Sequence, residues 1–195
     1  MGIHNIITYP VRVAVLGGGN FGLCLAVVLG NKNIPVTILV RKEIVATTIN
    51  TEHHHPTFLS DVRLPLCVTA TTDPAVALRD AAFIIHAVPV QFSRAYLRSI
   101  SSYVGINTPI ICTSKGIESG TLTLMKDILY QELGAHRELA FLSGPSFARE
   151  IATGLATAVV IASVHEVRLR ARSHTNTRAR AASFPLSLSC SDNCA

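Results

Sequence analysis

Charge is scarce in this chain. Charged side chains make up only 15% of its 195 residues and apolar ones 49%, which excludes an intrinsically disordered protein and leaves ample material for one packed core. Uninterrupted apolar runs are short, and none approaches the ~18 residues that a membrane-crossing helix needs. No basic stretch followed by an apolar one opens the chain, so positions 1–10 do not read as a secretory signal. Cysteine is sparse and scattered. Cys24, Cys67 and Cys112 sit inside hydrophobic segments, as reduced intracellular thiols do, and Cys190 and Cys194 lie near the end. These absences point to a soluble globular protein with the cytoplasm as default compartment, an organellar address staying open.

Metal-ligand spacing is missing too. His53-His54-His55 invites a metal, but adjacent side chains leave the backbone in different directions and no cysteine or acid completes a set; a polar loop is expected. Cys190 and Cys194 have no partner pair, so no metal is expected there either. Charge is also uneven. Residues 1–163 hold 12 basic and 10 acidic side chains, whereas 164–195 hold Arg168, Arg170, Arg172, Arg178 and Arg180 against Glu166 and Asp192. That segment is rich in Arg, Ser and Thr and shows no helical or strand period. The expectation is a domain over 1–163 that carries the function and a solvated, disordered extension over 164–195, with no nucleic-acid partner.

What is present is a regular alternation. Short apolar, β-branched runs at 11–16, 35–40, 66–69, 82–88, 108–112, 139–143 and 156–162 read as strands. Between them, 22–29, 74–79, 91–100 and 122–133 read as helices, with a further helix opening near Ser146 and Asp73-Pro74 as a helix start. Strands without strict alternation are buried on both faces, and their interleaving with helices demands right-handed crossovers. The expected fold is α/β: a doubly wound, mostly parallel sheet of the Rossmann type. Ligands in such sheets bind at the carboxyl ends of the strands, so chemistry is sought there.

The first strand ends in Gly17-Gly18-Gly19-Asn20-Phe21-Gly22, a G-x-G-x-x-G pattern. Gly17 suits the tight turn, Gly19 close approach to a pyrophosphate, and Gly22 close packing of helix on strand. The pattern alone is weak, but its place between first strand and first helix favours dinucleotide binding. The second strand ends in Arg41 and Lys42 rather than an acid; these cations could meet a 2′-phosphate, and Arg41 could stack on adenine. NADPH is therefore expected to bind at least as well as NADH. Val88-Pro89 stops the fourth strand, with a plain strand stop and a nicotinamide-facing role equally open. Lys115, beside Gly116, is placed either to reach a substrate oxygen or as an ordinary surface lysine. Ser146 reads as an N-cap whose exposed amides could hold an anion, with Glu150 in the first turn. Tyr96, Tyr103 and Phe92 are expected to pack in the core or against a helix.

Together with Leu39-Val40-Arg41, Ile49-Asn50, Phe58-Leu59, Leu64-Pro65 and Ala87-Val88-Pro89, two blocks carry a specific likeness: Ser114-Lys115-Gly116-Ile117-Glu118 and 142–150, Leu-Ser-Gly-Pro-Ser-Phe-Ala-Arg-Glu. From about Val11 to Ser163 the chain resembles NAD(P)-dependent glycerol-3-phosphate dehydrogenase of the bacterial type. The resemblance implies NAD or NADP as cofactor, contacted by Asn20, Phe21, Arg41, Lys115 and Ala148. It implies dihydroxyacetone phosphate and sn-glycerol 3-phosphate as substrate pair, bound by Lys115, Gly144 and Ser146, with hydride transfer to C2 and a place in phospholipid-precursor metabolism. It leaves a homodimer of the full-length form open. The family continues into a helical domain with a second, proton-transferring lysine and an Arg–Asn phosphate clamp. Here no lysine follows Lys126, and 164–195 resembles none of that domain. Cofactor binding with impaired turnover is therefore expected, beside two alternatives: a non-catalytic nucleotide-binding module, or another Rossmann reductase acting on a hydroxy acid.

Overall fold

The computed structural model describes residues 11–163 and the backbone of 182–186. The β-branched runs pair as parallel strands β1 (Val13–Leu16), β2 (Val36–Leu39), β3 (Val68–Thr71), β4 (Phe83–His86), β5 (Ile110–Cys112) and β6 (Leu139–Ser143). β7 (Thr157–Ser163) returns antiparallel on β6, and β8 (Ala182–Leu186) antiparallel on β7. The order β3-β2-β1-β4-β5-β6-β7-β8 reverses direction at β1, which opens a crevice between the loops leaving β1 and β4. Among the described residues, six α-helices accompany the sheet: α1 (Asn20–Gly30), α2 (Glu43–Glu52), α3 (Pro74–Leu78), α4 (Val90–Ile100), α5 (Met125–Leu133) and α6 (Ala148–Ala152).

Both faces of the sheet are covered, as the apolar runs require. Ala14, Leu16, Ile84 and Ile110 meet Leu97 of α4 and Ile128 and Leu129 of α5 on one side. Val13, Val15 and Ile38 meet Leu23 and Val27 of α1 and Ile49 of α2 on the other. The expected doubly wound, mostly parallel architecture is the one observed. β7 differs in kind: it alternates between buried Val159 and half-exposed Val160, as an antiparallel strand with one open face does.

Four local expectations change. α2 was not anticipated, because Glu43–Glu52 is rich in Ile, Val and Thr, whose branching lowers helix propensity; packing of Ala46 and Ile49 onto β2 and β3 decides it. Asn50 of α2 then exchanges two hydrogen bonds with the backbone of Ala70 (2.9 and 2.8 Å), occupying the open edge of β3. β3 begins two residues later than its apolar run, since Leu66 is exposed. α6 starts at Ala148 with Phe147 as N-cap, so Ser146 caps nothing; its hydroxyl and N–H both face the Gly144 carbonyl. The tail, Cys190 and Cys194 included, lies outside the described residues except for 182–186, whose backbone extends the sheet, against the expectation of no strand there. Asp73 does cap α3, its carboxylate accepting from the Ala75 N–H at 2.8 Å.

At the end of β4, His86 is fully buried, and burial holds its pKa down to about 4. Its Nε2 lies 2.9 Å from Ser93 Oγ, which in turn donates to the carbonyls of Val88 and Pro89. The serine proton being committed there, His86 donates from Nε2 and leaves its buried Nδ1 without a hydrogen-bond partner. An unfolded histidine takes up a proton below about pH 6.5, which the folded one refuses until about pH 4. Stability is therefore expected to fall as pH drops through that window, by on the order of 3 kcal/mol. Urea titrations at pH 7 and pH 4.5 check this, and one imidazole resonance, absent in His86→Gln, should stay untitrated above about pH 5.

Candidate functional site

The crevice is an open cleft of about 660 Å³, floored by the glycine turn and walled by Val40, Arg41 and Lys42 on the β2 side and by Val88, Pro89 and Phe92 on the β4 side. Its floor depends on absent side chains. Gly17 has φ +104°, a conformation that favours glycine, and a Cβ there would stand 3.0 Å from the Ala87 carbonyl oxygen. A Cβ on Gly22 would lie 2.1 Å from the Gly17 carbonyl oxygen, so α1 starts hard against the end of β1. On Gly19 it would meet nothing within 4 Å, which leaves room for a ligand to approach the backbone. Gly19 is also the N-cap of α1 and offers no side chain to the first-turn amides, and no acid occupies that turn. The helix thus presents unpaired N–H donors and positive potential to the cleft, a fit to a pyrophosphate.

The other predicted residues separate into two groups. Asn20 and Phe21 line the cleft with Gly17, Gly19 and Arg41; Gly22 lies buried beneath it. Lys115 leaves the end of β5, exposed, with its Nζ 5.8 Å over the Phe21 ring and 3.5 Å from the Gly144 carbonyl oxygen. The ends of β1, β5 and β6 therefore meet at one ammonium. Ala148 lies elsewhere, packed with Phe21 against Cys24, Val28 and Ile151 of α1 and α6. Ser146 is brought to Gly144 and not into the cleft.

The loop that carries Lys115 is clamped from α4. Gln91 Nε2 donates to the Ile117 carbonyl at 2.9 Å, and the Ser119 N–H donates to Gln91 Oε1 at 2.8 Å. Arg94 forks onto both oxygens of Glu118 (2.8 to 3.0 Å) and reaches Glu132, which Arg98 also holds. The Arg94 guanidinium and the Thr121 hydroxyl keep the Glu118 carboxyl below its usual range. Ser114 Oγ donates to the Val88 carbonyl at 2.6 Å, tying the β5 end to the β4 end.

Sequence reasoning missed several members of the cleft, Phe92, Tyr96 and His55 among them. Phe92 was assigned to packing but is 66% exposed and lines the wall; a helix-period count from Pro89 would have put it on the open side of α4. His55, assigned to a polar loop, turns inward beside Phe58, whereas His54 faces Glu52 at 3.6 Å. Tyr103 is exposed, and Tyr96 packs against the core while its other side reaches the cleft. Among the described residues no group of three or more His, Cys, Asp or Glu side chains could hold a metal, and no helix is long and apolar enough to cross a membrane.

Residues 12–168 match the family described as NAD-dependent glycerol-3-phosphate dehydrogenase N-terminus. The chain belongs to this family. It is 45% identical over 155 residues to a chloroplastic NAD(+) glycerol-3-phosphate dehydrogenase of Oryza sativa subsp. japonica, covering 78% of this chain and 35% of that one. To the NAD(P)+ glycerol-3-phosphate dehydrogenase of Streptomyces griseus it is 39% identical, covering 86% of this chain and 51% of the other. The solved glycerol-3-phosphate dehydrogenase of Coxiella burnetii superposes with a TM-score of 0.74 at 28% identity, over 79% of this chain and 47% of that one. The chain thus spans between a third and a half of the length of these relatives.

Two substitutions test the geometry. Gly22→Ala is expected to push α1 off β1, costing about 1–3 kcal/mol in urea unfolding and at least tenfold in nucleotide affinity. Arg94→Ala should release the loop after Lys115, so that trypsin cuts at Lys115–Gly116 several-fold faster than in the parent protein.

Proposed function

We propose that this dehydrogenase-family domain binds NAD or NADP along the cleft, with the adenosine end beside Arg41 and the nicotinamide end toward Val88, Pro89 and Lys115. Its place in metabolism is the interconversion of dihydroxyacetone phosphate and sn-glycerol 3-phosphate, a supplier of glycerophospholipid backbones. The observation that carries this reading is the single ammonium of Lys115, held between Phe21 and Gly144 where three strand ends converge. The nicotinamide, when bound, supplies or accepts the hydride. Lys115 offers positive charge to an oxyanion forming at C2, and Gly144 and Ser146 form the substrate side of the same edge. Gly17, Gly19, Asn20, Phe21 and Gly22 seat the cofactor, with Arg41 at the adenosine end and Ala148 supporting Phe21 from α6. Cytoplasm is the compartment to which the sequence points, and the chloroplastic rice relative adds a plastid as the second.

A polypeptide of these 195 residues alone is proposed to bind the cofactor and to turn substrate over poorly. The resemblance assigns proton transfer and the phosphate clamp to a helical half that lies beyond the span matched here. Loss of a general acid–base group costs roughly 10²–10⁴-fold in rate. NADH oxidation with dihydroxyacetone phosphate, followed by absorbance, should run slower than in a two-domain relative by at least that factor; a comparable rate overturns the reading. In fluorescence titrations NADPH is expected to bind at least as tightly as NADH, and Arg41→Asp should weaken NADPH roughly tenfold or more while sparing NADH.

A further inference from the structure

His55 is a buried residue with one open nitrogen. It is only 5% exposed, yet it lines the cleft. Its Nδ1 accepts two backbone donors, the N–H groups of Thr57 and Phe58, both at 3.0 Å. A nitrogen that accepts two hydrogen bonds carries no proton, so the ring is neutral and its proton sits on Nε2. Burial, and then the neighbouring His54, hold the pKa below its usual value, in keeping with that neutral form. Phe58 flanks the ring at 5.1 Å between centroids. Among the described residues no acceptor is bonded to the Nε2–H.

Its position says what it faces. A Cβ on Gly18 would stand 3.9 Å from His55 Nε2 and 2.8 Å from Val40 Cγ1. His55 thus occupies the corner between the glycine turn and the end of β2, where a dinucleotide on such a sheet places its adenosine ribose. Arg41, next along β2, lines the same corner. We propose that the Nε2–H of His55 donates a hydrogen bond to the adenosine ribose of the bound dinucleotide, making His55 a recognition residue for that half of the cofactor. The proposal rests on the dinucleotide reading above. The two amides that fix the tautomer are what make the donor available: with the proton on Nδ1, the ring would turn a lone pair toward the ligand and two N–H groups against its own proton.

Asparagine separates the two jobs of this side chain. In His55→Asn, Oδ1 stands where Nδ1 stood and can accept from Thr57 and Phe58, but the Nε2–H is gone. Calorimetric titration of the 195-residue protein with NADH, ADP-ribose and nicotinamide mononucleotide is the test. His55→Asn is expected to melt at the parent temperature, to bind NADH and ADP-ribose roughly five- to tenfold more weakly, and to bind nicotinamide mononucleotide unchanged. His55→Phe, which removes the acceptor as well, should lose both affinity and melting temperature. In the unaltered protein the His55 Nε2 resonance should shift on adding ADP-ribose and stay still on adding nicotinamide mononucleotide. If ADP-ribose binds normally but neither affinity in His55→Asn nor the Nε2 resonance changes, the His55 assignment falls alone. If the unaltered protein binds none of NADH, NADPH and ADP-ribose, the dinucleotide reading falls and takes this one with it.

Discussion

There is no room for a methyl group between the first strand and the first helix. Gly22 faces the Gly17 carbonyl where a Cβ would come within 2.1 Å, so the axis of α1 is pressed against the carboxyl end of β1. This approach leaves the first amides of α1 at the mouth of the crevice, uncapped by any side chain and unopposed by any acid. Valines then crowd the turn from both sides, Val40 from β2 and Val88 from β4. The floor is accordingly set by backbone and branched side chains that have few alternative positions, which is what a site for a rigid, charged ligand requires.

The strand ends around that floor are held by polar side chains of a single helix. From α4, Ser93 takes the carbonyls after β4, Gln91 grips the loop after β5, and Arg94 anchors the same loop through Glu118. Ser114 closes the circuit by donating back to Val88. Lys115 has five-atom reach and meets only the Gly144 carbonyl and the Phe21 ring, so its placement depends on the backbone that carries it. Across the cleft, the loop after α2 is tied to α6 by the fork of Arg149 on Asp61. The loops that carry chemistry are thus fastened mostly to helices, with Ser114 on Val88 and Lys115 on Gly144 as the direct ties between them.

The outline of the fold was legible because it rests on local rules. Val13–Leu16, Val36–Leu39 and Ile110–Cys112 are too short and too branched to be anything but strands, and Asp73-Pro74 states a helix start in two residues. α2 was illegible for the same reason: its threonines, isoleucines and valine argue locally for extended backbone, and only the fit of Ala46 and Ile49 into the core overrides them. Ser146 looked like a cap because Ser before an acidic turn usually is one, but the φ +148° of Gly144 turns the chain so that the helix begins two residues later.

Legible in the bare chain were the strands from β1 to β7, the crossover helices other than α2, the glycine turn, the cation at the end of β2 and membership of a dehydrogenase family, since each is a matter of neighbouring residues or of a contiguous motif. That Lys115 meets Phe21 and Gly144, that Phe92 stands open on the cleft wall, and that His55 turns inward from a run of three histidines emerges only once the chain is folded. Those facts depend on where side chains point once crossovers bring distant segments together. Spacing along a chain fixes a residue's periodicity but not the direction from which a neighbour dozens of positions away will approach it.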